Sequence, residues 1–233
     1  MRTCDTMTSI DGITLDTPSF ALTVSDALMP EMAIERIAWI VGLSAEFQNM
    51  RFICVRDDAM DAGMLASTAV LAAGTGLGLI IQSDMPENLV AAVSALEGRR
   101  PLLITPDSTS PELIAFAGEA DIPVAVSHPD TDSLLALCSM AEASGCGDIV
   151  LDPCTVSMKQ CLESTVRIGR LASEDPRADR PVMVRSWSGE YALSVASVSV
   201  LRGGSLIVLD DLDRDACDIL DKTVSSFGKN TTP

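Results

Sequence analysis

Arg100–Ala117, RPLLITPDSTSPELIAFA, decides the fold of this chain. It is an apolar run that ends in a polar residue. A serine N-cap, a first-turn proline and a favourable glutamate (Ser110-Pro111-Glu112) then open a helix. The same grammar recurs on either side: FICVRDD from Phe52, LGLIIQSD from Leu77, IPVAVSH from Ile122, DIVLDP from Asp148, PVMVRSW from Pro181 and SLIVLDD from Ser205. An eighth run, FALTV, starts at Phe20. The runs are continuously rich in Val, Ile and Leu instead of alternating, as parallel strands covered by helices require. Eight such units predict a single α/β domain, a (β/α)8 TIM barrel of parallel strands, over 18–227. Residues 1–17 read as a lead-in that either pairs across the barrel floor or stays loose, and 228–233 as a frayed tail. A doubly wound open sheet shares this grammar, but the first strand is followed by SDALMPE, without the glycine-rich turn such folds often carry.

Composition excludes several classes of partner. With 33 acidic and 16 basic residues the net charge is −17, so nucleic acid and anionic membrane surfaces are disfavoured. No apolar run is long enough to cross a membrane and no secretory h-region opens the chain, so a soluble cytoplasmic protein is expected. The 7 cysteines include no CxxC pair and suit a reducing compartment, mostly as buried thiols. Cys146, Cys154 and Cys161 match no common zinc or iron–sulfur spacing.

A barrel gathers its strand ends at one mouth. Those ends present Ser25 and Asp26, Asp57 and Asp58, Ser83 and Asp84, Thr105 and Asp107, Ser127 and His128, Asp152 and Thr155, Arg185 with Trp187, and Asp210 with Asp211. The mouth is therefore acidic, with Arg56, Arg185 and His128 as its cationic or titrating groups. The loops after strands seven and eight, SWSGE and DDLDRD, lack the glycine nest that cradles phosphate, and no lysine ends a strand to form a Schiff base. About half of these aspartates are expected to cap the following helix. Asp57-Asp58 and Asp210-Asp211 could hold a divalent cation, but spacing fixes no third ligand, and no metal site is assigned. His128, the single histidine, reads equally as an acid–base group or a turn residue before Pro129. Trp187 reads as a stacking surface or a rim cover.

The order of motifs in the second half carries a resemblance. RPLLITPDSTSPELIAFA, IPVAVSHPDTDSLL, DIVLDPCT, ESTVRIGRLASED and RPVMVRSW succeed one another. This succession resembles the barrel domain of the corrinoid iron–sulfur large (gamma) subunit of the CO dehydrogenase/acetyl-CoA synthase (decarbonylase/synthase) family. The resemblance implies corrinoid-linked methyl transfer in C1 metabolism, with the barrel mouth docking a corrinoid (cobamide) or a corrinoid protein. It carries over Asp152, Pro153 and Thr155 at the sixth strand end; Ser127, His128, Arg185, Trp187, Asp57 and Asp107 join the expected contact by position. That family's large subunit also has a four-cysteine domain and a corrinoid domain, whereas only Cys4 precedes Cys54 here and the chain ends one helix after strand eight. No iron–sulfur cluster is therefore expected, and the corrinoid is expected to be shared with a partner chain, a corrinoid protein or CO dehydrogenase/acetyl-CoA synthase component. Two rival readings are a pterin-dependent methyltransferase barrel, with Asp57, Asp107 or Asp152 binding the pterin, and a non-catalytic assembly subunit.

Overall fold

Alternation along each strand and the 3.6-residue period of each helix sort the apolar side chains into two nested layers. In this computed structural model, which describes residues 7–105, 108–186 and 191–227, a short hairpin comes first: β1 (Ser9–Ile10) and β2 (Ile13–Thr14). Eight strand–helix units follow: β3 (Ser19–Ser25), α1 (Pro30–Glu46); β4 (Met50–Arg56), α2 (Ala62–Ala73); β5 (Gly78–Gln82), α3 (Pro86–Ser94); β6 (Leu102–Ile104), α4 (Pro111–Glu119). The second half adds β7 (Val124–Ser127), α5 (Thr131–Ala143); β8 (Ile149–Asp152), α6 (Met158–Leu171); β9 (Val182–Ser186), α7 (Ala192–Leu201); β10 (Gly204–Leu209), α8 (Arg214–Phe227). All eight long strands pair in parallel, and the ring closes where β10 meets β3, Leu206 beside Ser19 and Leu209 beside Leu22. The expected barrel is the fold.

Ala21, Phe52, Cys54, Ile80, Leu102, Ile104, Ala125, Val150, Met183, Leu206 and Val208 fill the barrel interior, and Ile10 of the hairpin packs with them. The alternate strand residues, such as Leu22, Ile53 and Leu151, face the helices. Ile10 is fully buried, so residues 7–17 resolve the open choice in favour of pairing across the floor. Asp11, at the hairpin tip, fastens it: its carboxylate accepts from Arg99 Nη2 at 2.6 Å, from the Arg100 amide at 2.9 Å and from the Leu79 amide at 3.2 Å. The tail 228–233 lies outside the described residues.

Ser110 caps α4 as anticipated, but the N-caps given for the other helices are not the strand-end aspartates expected to cap them; where a side chain caps, it lies further along the loop. Asp61, Ser110, Asp130 and Ser157 each accept from a backbone amide in the first turn of α2, α4, α5 and α6. Helix α4 packs so closely beside the α5–β8 turn that a Cβ on Gly118 would run into the Ser144 carbonyl. Gly118→Ala is expected to destabilise the fold by about 1–3 kcal/mol, since backbone must shift to admit the methyl. Urea denaturation checks this, with unchanged slope and a lowered midpoint as the expected result.

Candidate functional site

Because side chains alternate, the residue two places beyond an interior one also faces the barrel axis. Ala125, Val150 and Met183 lie in the interior core, so Ser127, Asp152 and Arg185 form the polar layer above it on adjacent β7, β8 and β9. There the structure joins three of the expected residues. Arg185 Nη2 sits 2.7 Å from Asp152 Oδ2, with the two side chains 5% and 1% exposed. Ser127 Oγ donates to the same Oδ2 at 3.1 Å, and the Cys154 amide donates to Oδ1 at 2.9 Å. Burial pushes the Asp152 carboxyl up from its ordinary value; the Arg185 guanidinium, the Cys154 amide and the Ser127 hydroxyl pull it back. Both oxygens of the Asp152 carboxylate are thus engaged, which rigidifies this arc of the mouth.

Cys154 is the member that sequence reasoning missed. It is half-buried, adopts a left-handed backbone (φ 48°) and brings Sγ to 3.7 Å from Arg185 Nη2. The signal available was its position immediately after the Asp-Pro of the sixth strand end. Thr155 does not join the cluster: it is buried, and its hydroxyl is a hydrogen-bonding neighbour of Cys161 in α6. His128 braces a turn, its Nδ1 accepting from the Asp130 amide at 3.0 Å. Trp187 and Asp107 lie outside the described residues.

Asp57 belongs to a second cluster, across the ring on the β3–β5 arc. Its Oδ2 accepts from Ser83 Oγ at 2.5 Å and from Asn88 Nδ2 at 2.8 Å. Asn88, in the first turn of α3, was not foreseen; only its place three residues after the Met85 cap could have suggested it. Next to Asp57 lies Asp26, 2% exposed, whose Oδ1 accepts from the Asp58 and Ala59 amides at 2.8 and 2.9 Å. Asp26 Oδ2 and Asp57 Oδ1 are both buried without a donor. Burial raises the Asp26 carboxyl from its ordinary 3.8, and the adjoining Asp57 carboxylate adds to the rise.

A testable pH dependence follows. The folded state binds the Asp26 proton more tightly than the unfolded chain, so this group's stabilising contribution is complete below 3.8 and is lost as pH rises through the folded value. Asp26→Asn retains the acceptor for both amides and places a donor toward Asp57. The variant is expected to be the more stable at pH 8, with its advantage shrinking toward pH 4. Urea midpoints measured across that range check the sign.

Of the aspartates considered for a cation, Asp58, Asp210 and Asp211 are held by arginines and Asp57 by Ser83 and Asn88. Arg56 Nε lies 2.9 Å from Asp58 and its Nη1 2.6 Å from Asp210; Arg36 Nη1 lies 2.8 Å from Asp211. Among the described residues no group of three His, Cys, Asp or Glu is arranged to hold a metal. Burial pushes the Cys54 thiol up to about 12 and Cys138 and Cys217 to about 11, so these are inert core groups. No helix among the described residues is long and apolar enough to cross a membrane.

Five methionines are exposed on the outer rim, among exposed carboxylates such as Asp58, Asp61 and Asp84. Met29 and Met32 open α1, Met60 and Met64 open α2, and Met85 caps α3; all five are exposed, from 41% for Met85 to 72% for Met60. These helix starts follow strand ends, which places the five methionines on one sector of the mouth.

Comparison with known proteins finds a family by sequence and a shared fold by superposition. The family model described as CdhD, CO dehydrogenase/acetyl-CoA synthase delta subunit, matches residues 10–220. The corrinoid/iron-sulfur protein large subunit of Moorella thermoacetica is 31% identical over 160 residues, 66% of this chain and 36% of that protein. The chain thus spans about a third of that relative's length. Dihydropteroate synthases from Xanthomonas albilineans and Thermus thermophilus superpose with a TM-score of 0.71 at 15% identity. The superpositions cover 98% and 95% of this chain and 99% of each synthase, a likeness of fold.

Proposed function

This chain belongs to the CO dehydrogenase/acetyl-CoA synthase delta subunit family, and from that premise we propose that it acts as a docking barrel in corrinoid-linked C1 methyl transfer, receiving a corrinoid-bearing partner at its C-terminal face. The methionine sector carries this reading. Unbranched, polarisable side chains adapt to an incoming surface, and five of them stand exposed on adjoining helix starts, interspersed with carboxylates.

The residues present fit a cobamide presented by a partner. Exposed Asp58 and Asp84 offer acceptors to the amide side chains of a corrin, and the methionines offer apolar contact. When bound, the cobalt supplies the methyl-transfer chemistry. The chain's share is position and shelter. The Asp152–Arg185–Ser127 cluster keeps the mouth in one shape, and His128 holds the adjoining turn. The pterin reading draws less support at Asp152, whose two oxygens serve Arg185, Ser127 and the Cys154 amide, while Asp57 Oδ1 keeps an open acceptor for it.

The test is a binding series on the full chain. A purified corrinoid protein should form a complex visible by sedimentation, and Met60→Glu/Met64→Glu should weaken it at least tenfold while leaving the urea midpoint unchanged. Failure of the corrinoid protein to bind, with hydroxocobalamin alone also leaving its visible spectrum unshifted, would overturn the docking reading. Calorimetric heat with methyl-tetrahydrofolate in place of either would transfer the assignment to the pterin barrel.

A further inference from the structure

A grouping of three arginines lies at the other end of the barrel. On the floor side, a cleft of about 270 Å³ opens between the C-terminal ends of α6 and α7, the turn before β9 and the first residues of β9 and β10. Three arginines line it, Arg170, Arg180 and Arg202, and its apolar lining includes Ile168, Val182 and Leu201. The chain has 16 basic residues against 33 acidic ones, so three arginines around one cleft, facing two carboxylates, leave a local excess of positive charge. Asp179 also lines the cleft, and Glu142 reaches Arg180 Nη2 at 2.6 Å.

A helix C-terminus attracts a cation, which accounts for Arg170 in the last turn of α6 and Arg202 at the cap of α7. It does not account for Arg180. That residue belongs to the turn between the helix and β9, and its Nε is buried with no acceptor. A buried donor left unpaired is costly, and folded proteins rarely leave one so. Neither Arg170 nor Arg202 forms an ion pair among the described residues, so both heads are available. Three guanidiniums around a cleft with an apolar wall match a tetrahedral oxyanion attached to a carbon skeleton. A guanidinium pairs with phosphate oxygens through parallel N–H bonds, and three of them can serve more oxygens than a planar carboxylate offers.

We propose that this floor cleft is a binding site for a small phosphorylated ligand, its phosphate held by Arg170, Arg180 and Arg202 and its apolar portion laid against Ile168, Val182 and Leu201. The site lies at the strand starts, away from the mouth, and stands or falls independently of the docking reading. An anion there would couple α6, α7 and the turn before β9, which otherwise meet around open space. Gly169, which also lines the cleft, has room beside it for a larger side chain.

Inorganic phosphate and pyrophosphate are the probes, titrated into the full chain at constant ionic strength and followed by calorimetry and thermal shift. Acetate and succinate form the carboxylate arm. Saturable binding of pyrophosphate is expected, weakened about tenfold for each guanidinium lost in Arg170→Gln and Arg202→Gln. Both residues are exposed, so the variants are expected to fold. The charge-matched control is Arg167→Gln/Arg214→Gln, which removes two exposed arginines elsewhere and should leave the affinity within twofold. Three results would overturn the proposal: no saturable binding of either phosphate probe, equal weakening by the control, or succinate binding as tightly as pyrophosphate.

Discussion

Asp152→Ala is expected to destabilise the protein by about 3–5 kcal/mol, the cost of leaving a buried cation without its partner. Arg185 is 5% exposed and cannot swing into water without disturbing β9, and the Cys154 amide and Ser127 hydroxyl lose their acceptor at the same time. The decisive comparison is the apolar double variant Asp152→Leu/Arg185→Met. Replacing both members of a buried pair with apolar groups of similar volume is often neutral or stabilising, because the desolvation cost disappears with the charges. Urea denaturation should therefore show a large loss for the single change and recovery of most of it in the double. If the docking reading is right, the recovered double variant still binds the corrinoid protein poorly, since the shape and polarity of the mouth have gone. A single-variant loss below about 1 kcal/mol would mean the pair behaves as an exposed one.

Asp11→Ala should cost about 1–3 kcal/mol at the opposite end of the barrel, the penalty for donors left without their acceptor, since Arg99 is 27% exposed and keeps the Ala73 and Leu77 carbonyls. The Asp11 side chain is 3% exposed and receives Arg99 together with the amides of Leu79 and Arg100. Alanine removes the carboxylate from both amides and from Arg99, which keeps the Ala73 and Leu77 carbonyls, and places a poorly suited residue at φ 55°, where aspartate and asparagine are better tolerated. Without this clamp the hairpin loses its hold on β5 and on the start of β6, and Ile10 is freed from the barrel floor. Hydrogen exchange of the Leu79 and Arg100 amides should accelerate well before global unfolding, and Asp11→Asn should retain part of the protection. Unchanged exchange in the alanine variant would show that Ile10 packing alone secures the floor.

These two clusters differ in how legible they were. Asp152 and Arg185 stand at the ends of continuous apolar runs, where period-two alternation already aims them at the barrel axis once the barrel is granted. Asp57 was found only as a strand-end residue, since alternation from Phe52 and Cys54 aims Arg56 at the axis, and its neighbours place it with Asp26, Ser83 and Asn88, on the opposite side of the mouth from Asp152. Asn88 and Cys154 escaped notice because their roles depend on loop and helix-start geometry, which carries no repeating pattern. Asp11 looked like part of a polar lead-in. Its carboxylate meets partners 68 and 88 residues away, and nothing local announces such a contact.

From the order of its residues alone, this chain declares eight parallel strand–helix units, the polar end of each strand and a motif succession that points to its family. Those features are local or periodic: apolar runs, caps and alternation are set within a few residues of themselves. Which strand-end groups satisfy one another, which thiol sits beside the arginine, how the hairpin seals the floor and where three arginines gather are consequences of ring closure. Closure brings together residues far apart in the chain, and the energy of their contacts depends on burial and distance, quantities that exist only once the backbone has closed on itself.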